Sequence, residues 1–256
     1  FINEEVDGAE QPETNTADWE TVTVPHDWAI KGPFDKEVDK QMVRVTQDLE
    51  KEARERTGRT GALPHIGIGW YRKAFTLPEF EKGKKALLVF EGAMSDAHVF
   101  VNGKKVGNWP FGYNYFYFDI SDYLKDGENL LAVRLENLPF SSRWYPGAGI
   151  YRKVQIIVKD EVNFEQWGTF LTTPFISDEV AKVNIKSTVN GENVKVVTDI
   201  KDADGKVVAT HSSDEMFGNQ IEQNIAVPNP KLWSPESPHL YTAHSKLYQG
   251  NDLKDE

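Results

Sequence analysis

Apolar residues in this chain recur mainly at every second position, and such alternation marks strands with one face buried. Ala86-Leu87-Leu88-Val89-Phe90, Ala97-His98-Val99-Phe100-Val101, Leu130-Leu131-Ala132-Val133-Arg134-Leu135 and Val154-Gln155-Ile156-Ile157-Val158 each read as a strand. Asn102-Gly103 follows the second run and favours a tight type I′ hairpin, while Asp126-Gly127 and Asp204-Gly205 mark further turns. Residues 180–189, 194–200, 206–210, 220–227 and 241–247 read as five more strands before the polar stretch 249–256. Short strands at this spacing predict an all-β chain built of sandwiches. A boundary at Lys159-Asp160-Glu161 divides it into domains 1–159 and 160–256. With no closing strand read after residue 247, the second domain is expected to be incomplete at its C-terminus or open at an edge.

Residues 35–56 break the pattern, being highly charged with alternation only at Val43 and Val45. Residues 47–56 read as a short helix, with Glu50 and Arg54 four apart. The whole stretch reads as a solvated flap, with an oligomer contact or a gate as the other readings.

A length of 256 residues suffices for two cores, and 39% hydrophobic with 27% charged residues describes a folded globular chain. The net charge of −11, from 40 acids against 29 bases, opposes binding to nucleic acid and gives no attraction to an anionic membrane. The longest apolar runs are far short of a bilayer span. With no cysteine, disulfides, thiolate nucleophiles and zinc–thiolate sites are excluded. No phosphate-binding glycine loop, metal-spaced histidine cluster or Gly-x-Ser-x-Gly elbow occurs, so no cofactor and no metal site is expected in the chain. The sequence starts at Phe1 rather than Met. This suggests a trimmed N-terminus and favours a bacterial periplasmic or secreted location over a cytoplasmic one.

Five segments occur in a fixed order. They are Trp19 with Val22-Thr23-Val24-Pro25-His26-Asp27-Trp28; Gly67-Ile68-Gly69-Trp70-Tyr71-Arg72-Lys73; Phe90-Glu91-Gly92-Ala93-Met94-Ser95-Asp96-Ala97 through Val101-Asn102-Gly103. Phe118-Asp119-Ile120-Ser121-Asp122-Tyr123-Leu124 with Gly127-Glu128-Asn129 comes next, then Ser142-Arg143-Trp144-Tyr145-Pro146-Gly147-Ala148-Gly149-Ile150-Tyr151-Arg152. The series resembles the N-terminal sugar-binding domain of glycoside hydrolase family 2, the family of β-galactosidases, β-glucuronidases and β-mannosidases. Leu232-Trp233-Ser234-Pro235 through Leu240-Tyr241 resembles the end of that family's second domain. Among subgroups, the Pro25-His26-Asp27-Trp28 and Arg143-Trp144-Tyr145-Pro146-Gly147 segments look most like bacterial β-galactosidases.

The resemblance implies a galactose-binding-like, jelly-roll-like β-sandwich followed by an immunoglobulin-like one. It also implies a downstream (β/α)₈ barrel carrying the two catalytic glutamates of a retaining reaction, whose carboxyls stand about 5–5.5 Å apart. The expected partners are therefore a β-galactoside-type carbohydrate and the chain's own barrel, with a homo-oligomer also open; no catalytic residue is assigned here, and a metal in the barrel is left undecided.

Local candidates are rim residues. Aromatic faces of Trp144 and Tyr145 can stack on sugar rings, and Arg143 can bond hydroxyls or orient a barrel carboxylate; packing against the barrel is the competing role. Where some family β-galactosidases place a sugar-binding Asn and Asp, this chain has His65 or Ile66, and Arg143. Those contacts therefore do not carry over, though His65 can stand in as a hydroxyl-bonding group. His26-Asp27 invites an acid/base role, but in such a turn Asp27 is expected to bond backbone N–H groups, with a supporting contact to the barrel face as its rim role. The rings of Trp109, Phe111, Tyr113, Tyr115, Phe116, Tyr117 and Phe118 are expected to alternate between core and surface, with a glycan platform of a free-standing carbohydrate-binding module as the other reading. A β-glucuronidase or β-mannosidase of the same family is the nearest alternative, and a non-enzymatic carbohydrate-binding or adhesin-like sandwich is the competing class.

Overall fold

The computed structural model describes residues 1–31, 41–42, 55–56, 67–78, 80–81, 83–137 and 147–256, with backbone alone at 41–42 and 55–56. These residues form two compact units that divide between Val158 and Lys159. Each unit is a β-sandwich, so the all-β class expected from the alternation holds.

The first unit contains β1 (Gln41–Met42), β2 (Glu55–Arg56), β3 (Gly67–Thr76), β4 (Lys85–Phe90), β5 (Ala97–Val101), β6 (Lys104–Trp109), β7 (Phe116–Asp119), β8 (Glu128–Asn137) and β9 (Val154–Lys159). One sheet has the order β3-β8-β5-β6 and the other β7-β4-β9. β1 and β2 pair with each other. Glu55 and Arg56 thus lie in a strand ladder, which corrects the helix expected there; the rest of residues 47–54 lies outside the described residues. Asn102 and Gly103, at φ of 52° and 79°, close the β5–β6 hairpin.

β5 buries every second side chain, while β4 is buried from Ala86 to Phe90. Val99, Val101, Val133 and Leu135 point inward from the four-stranded sheet, against Ala86, Leu88 and Phe90 of β4. Phe90 is fully buried and stacks on Phe116 at 4.7 Å between centroids, with Trp109 on the far side of Phe116 at 5.6 Å. The outer face of the four-stranded sheet is also covered. Trp70 and Ala132 pack beneath Ile2, Val6, Ala9 and Trp19 of the N-terminal segment. Glu5 accepts hydrogen bonds there from Trp70 Nε1 (2.9 Å) and Arg134 Nε (2.8 Å).

The second unit holds β10 (Asn163–Ile176), β11 (Val180–Asn190), β12 (Val194–Lys201), β13 (Val207–Ser213), β14 (Met216–Phe217), β15 (Gln220–Pro228), β16 (Thr242–Gln249) and β17 (Asp252–Asp255). Its sheets run β10-β11-β15-β14 and β13-β12-β16-β17. Strict alternation in β11 and β15 sends Val183, Ile185, Ile221 and Ile225 into the core. A polar tie joins the sheets through that core. Thr198 Oγ1 donates to Gln223 Oε1 at 2.7 Å, and Gln223 Nε2 donates to the carbonyls of Val196 and His211. Pairing β17 onto β16 gives the polar stretch 249–256 a strand that alternation did not reveal.

Phe90 packs one face of Phe116 at the centre of the first sandwich. Phe90→Ala is expected to lower the stability of that unit by about 3–5 kcal/mol, read as an earlier urea midpoint at an unchanged slope.

Candidate functional site

Register places four chain ends of the first sandwich at one rim. Gly67, where β3 begins, pairs with Asn137, where β8 ends. The indole of Trp28, three residues before Lys31, lies over the β3 backbone at Gly69. Trp28 N donates to the Ala148 carbonyl at 2.9 Å, next to Gly147. The described residues that end at Lys31 and Asn137 and resume at Gly67 and Gly147 therefore meet at this rim.

Those ends are held firmly. The Met94–Ser95 pair grips both sides of segment 138–146. Ser95 Oγ donates to the Glu136 carbonyl (2.7 Å) and Glu136 N donates to the Ser95 carbonyl (2.8 Å) on the entry side. On the exit side Met94 and Gly149 exchange N–H···O bonds of 2.9 and 3.0 Å. His26 N donates to the Ile150 carbonyl at 2.8 Å. Gly149 sits at φ +130°, and a Cβ there would lie 2.4 Å from the His26 carbonyl oxygen, so this position admits glycine alone.

Asp27 completes the clamp. Its Oδ1 accepts the N–H of Ala29 and of Ala148, both at 3.0 Å, across 121 residues in the second case. Of the sequence candidates, Asp27 alone lies among the described residues, and there it bonds backbone amides. His26 faces the other way: its Nδ1 is 2.7 Å from the Tyr71 hydroxyl. The other ring nitrogen, Nε2, is buried without a hydrogen-bond partner. Burial, with the field of Lys31 second, holds the His26 pKa below the ordinary histidine value. Burial pushes the Tyr71 pKa upward. A neutral His26–Tyr71 pair is a supporting strut, because neither partner gives up or takes up a proton readily near neutral pH. Asn137 is 1% exposed, and neither polar atom of its side chain has a partner.

Next to the clamp the aromatic run divides. Trp109, Phe116 and Phe118 pack in or against the core, while Phe111, Tyr113 and Tyr115 are 52%, 46% and 49% exposed. The expected alternation fails across residues 111–115 because they form a turn rather than a strand. Arg143, Trp144, Tyr145 and His65 lie outside the described residues. The grip of Met94–Ser95 and the wedge at Gly149 were not singled out from the sequence; the Gly147-Ala148-Gly149 spacing was the one available signal for the clamp.

A cavity of about 610 Å³ lies where residues 16–24 cross the seam lined by Phe75, Leu88, Val133, Val154 and Ile156. Among the described residues, Glu20 is its single lining carboxylate. Among the described residues, no cluster of three His, Asp or Glu is placed to hold a metal.

Two outcomes follow from the clamp. Asp27→Ala, which loses a charged acceptor for two amides, is expected to cost about 2–4 kcal/mol in urea unfolding, and Asp27→Asn clearly less. His26 binds a proton less readily folded than unfolded. Its contribution is thus fully present above the ordinary histidine pKa and is lost as the pH falls through the depressed folded value. Stability measured from about pH 7.5 to about 5.5 should fall, and fall less steeply in His26→Gln.

Residues 2–160 match the model described as glycosyl hydrolases family 2, sugar binding domain, and residues 167–256 that described as glycosyl hydrolases family 2. A β-galactosidase of Bacteroides ovatus is 36% identical over 96% of this chain, which spans 28% of that protein. A β-glucuronidase of Formosa agariphila is 29% identical over 100% of the chain, which again spans 28% of the relative. The crystal structure of a glycosyl hydrolase family 2 member from Bacteroides cellulosilyticus superposes with a TM-score of 0.85 at 31% identity, over 98% of this chain and 32% of that one. The chain belongs to glycosyl hydrolase family 2, of which it is an N-terminal region.

Proposed function

We propose that this chain is the non-catalytic front of a retaining glycosidase that removes terminal β-linked galactose. The observation that carries the reading is the match to the Bacteroides ovatus β-galactosidase, continuous over 96% of the chain yet over only 28% of the relative. The family resemblance assigns the chemistry to a downstream barrel, where one glutamate protonates the leaving oxygen and a second attacks the anomeric carbon. The two sandwiches then carry and rim that barrel.

In this reading Arg143, Trp144 and Tyr145 meet the substrate from the segment whose two ends the Met94–Ser95 and Asp27 clamp hold. His65, in the other rim segment, offers a ring nitrogen to a sugar hydroxyl. Asp27 contributes by positioning, through the Ala148 amide. A firmly held base lowers the entropy lost when a side chain orders on a sugar.

β-Glucuronidase is the second reading, favoured by the Formosa agariphila relative. It requires cationic groups aimed at the sugar carboxylate. Hydrolysis of nitrophenyl β-galactoside and nitrophenyl β-glucuronide by the full-length polypeptide separates the two: the galactoside should be preferred, and preference for the glucuronide would reverse the assignment. In the same enzyme Trp144→Ala is expected to raise KM for the galactoside about tenfold, with kcat changing less than KM.

A further inference from the structure

Phe111, Tyr113 and Tyr115 are large rings left half in water although the adjoining Trp109, Phe116 and Phe118 fill or flank the core. They are fixed where they stand. Gly112 passes so close to Met94 that a Cβ would lie 2.4 Å from its sulfur. Tyr151 donates its hydroxyl hydrogen to the Gly112 carbonyl at 2.8 Å, and Asp96 N donates to the Pro110 carbonyl at 3.2 Å. Phe111 and Tyr113 meet edge to face, 5.6 Å between centroids. The Arg152 guanidinium lies over both Tyr115 (6.0 Å) and Tyr151 (5.6 Å). Met94 is the residue that also brackets Gly149, so this platform continues the rim.

We propose that Phe111, Tyr113, Tyr115 and Arg152 form a stacking site for a neutral pyranoside chain. Ring faces suit the C–H faces of pyranoses, while the phenol hydroxyls and the guanidinium edge suit their hydroxyls. Rings held in advance order at little entropic cost. The Arg152 guanidinium already lies on two ring faces, which leaves it less available to a sugar carboxylate and favours an uncharged glycan over a uronate. A few rings fall far short of the roughly 800 Å² per partner that a stable protein interface buries. The site rests on the glycosidase reading only for the choice of glycan.

The test is calorimetric titration of the 256-residue chain with a neutral β-1,4-galactotetraose and, separately, with tetragalacturonate. Millimolar binding of the neutral glycan is expected, weakened about tenfold by Phe111→Ala or Tyr113→Ala and retained by Tyr113→Trp. Phe175→Ala, an exposed ring of the second sandwich, should bind as wild type. The proposal is overturned by absence of binding to the wild-type chain, by unchanged affinity in both alanine variants, by equal loss in Phe175→Ala, or by tighter binding of tetragalacturonate. Failure of the glycosidase reading shows separately, as release of no sugar from either nitrophenyl glycoside by the full-length polypeptide.

Discussion

The backbone from Gly147 to Ile150 is held from three sides, and the rim of the first sandwich is organised around that hold. Met94 bonds it on one side, the Asp27 carboxylate and the Trp28 amide reach it from another, and His26 closes on Ile150. Each of these bonds is modest alone, of order 1 kcal/mol net. Together they fix a stretch that has no strand of its own, and the positive φ at Gly149 lets the chain pass His26 without a clash. Because Met94 and Ser95 also bond Glu136 and Gly149, one short segment sets the spacing between the end of β8 and the return of the chain. The Gly112 turn leans on the same methionine.

This arrangement separates two tasks. Buried side chains such as Phe90 and Trp28 hold the sandwich, and polar groups at its end hold backbone. Asp27 and His26 look like an acid–base pair when read along the chain, yet Asp27 spends Oδ1 on two amides and His26 is tied to Tyr71. Groups committed in this way position their neighbours.

Much of the fold was legible in residue order because burial on one face leaves an alternating trace, as in β5, β8, β11 and β15. β10 was missed for a physical reason. Its register shifts between Phe164 and Thr169 and again between Thr172 and Phe175, with Trp167 at φ 59°; each shift changes which residues face inward, so no period survives across the strand. The exposed rings were misread for the converse reason, since alternation was extended through a turn. The clamp was hidden because its partners lie far apart in sequence, as Asp27 and Ala148 do, and backbone acceptors leave no compositional mark. Arg143, Trp144, Tyr145 and His65 came from family resemblance, and their part in the site stands as a proposal.

The central claim is that the end of the first sandwich carrying Asp27, Met94 and Gly149 faces the substrate. Photo-crosslinking the full-length polypeptide with a diazirine-bearing β-galactoside, followed by mass-spectrometric mapping, tests it most directly. The account predicts labels on peptides spanning residues 26–31, 111–115 and 138–152. Labels confined to the second sandwich, or to the outer face of the four-stranded sheet around Trp70 and Phe100, would contradict it.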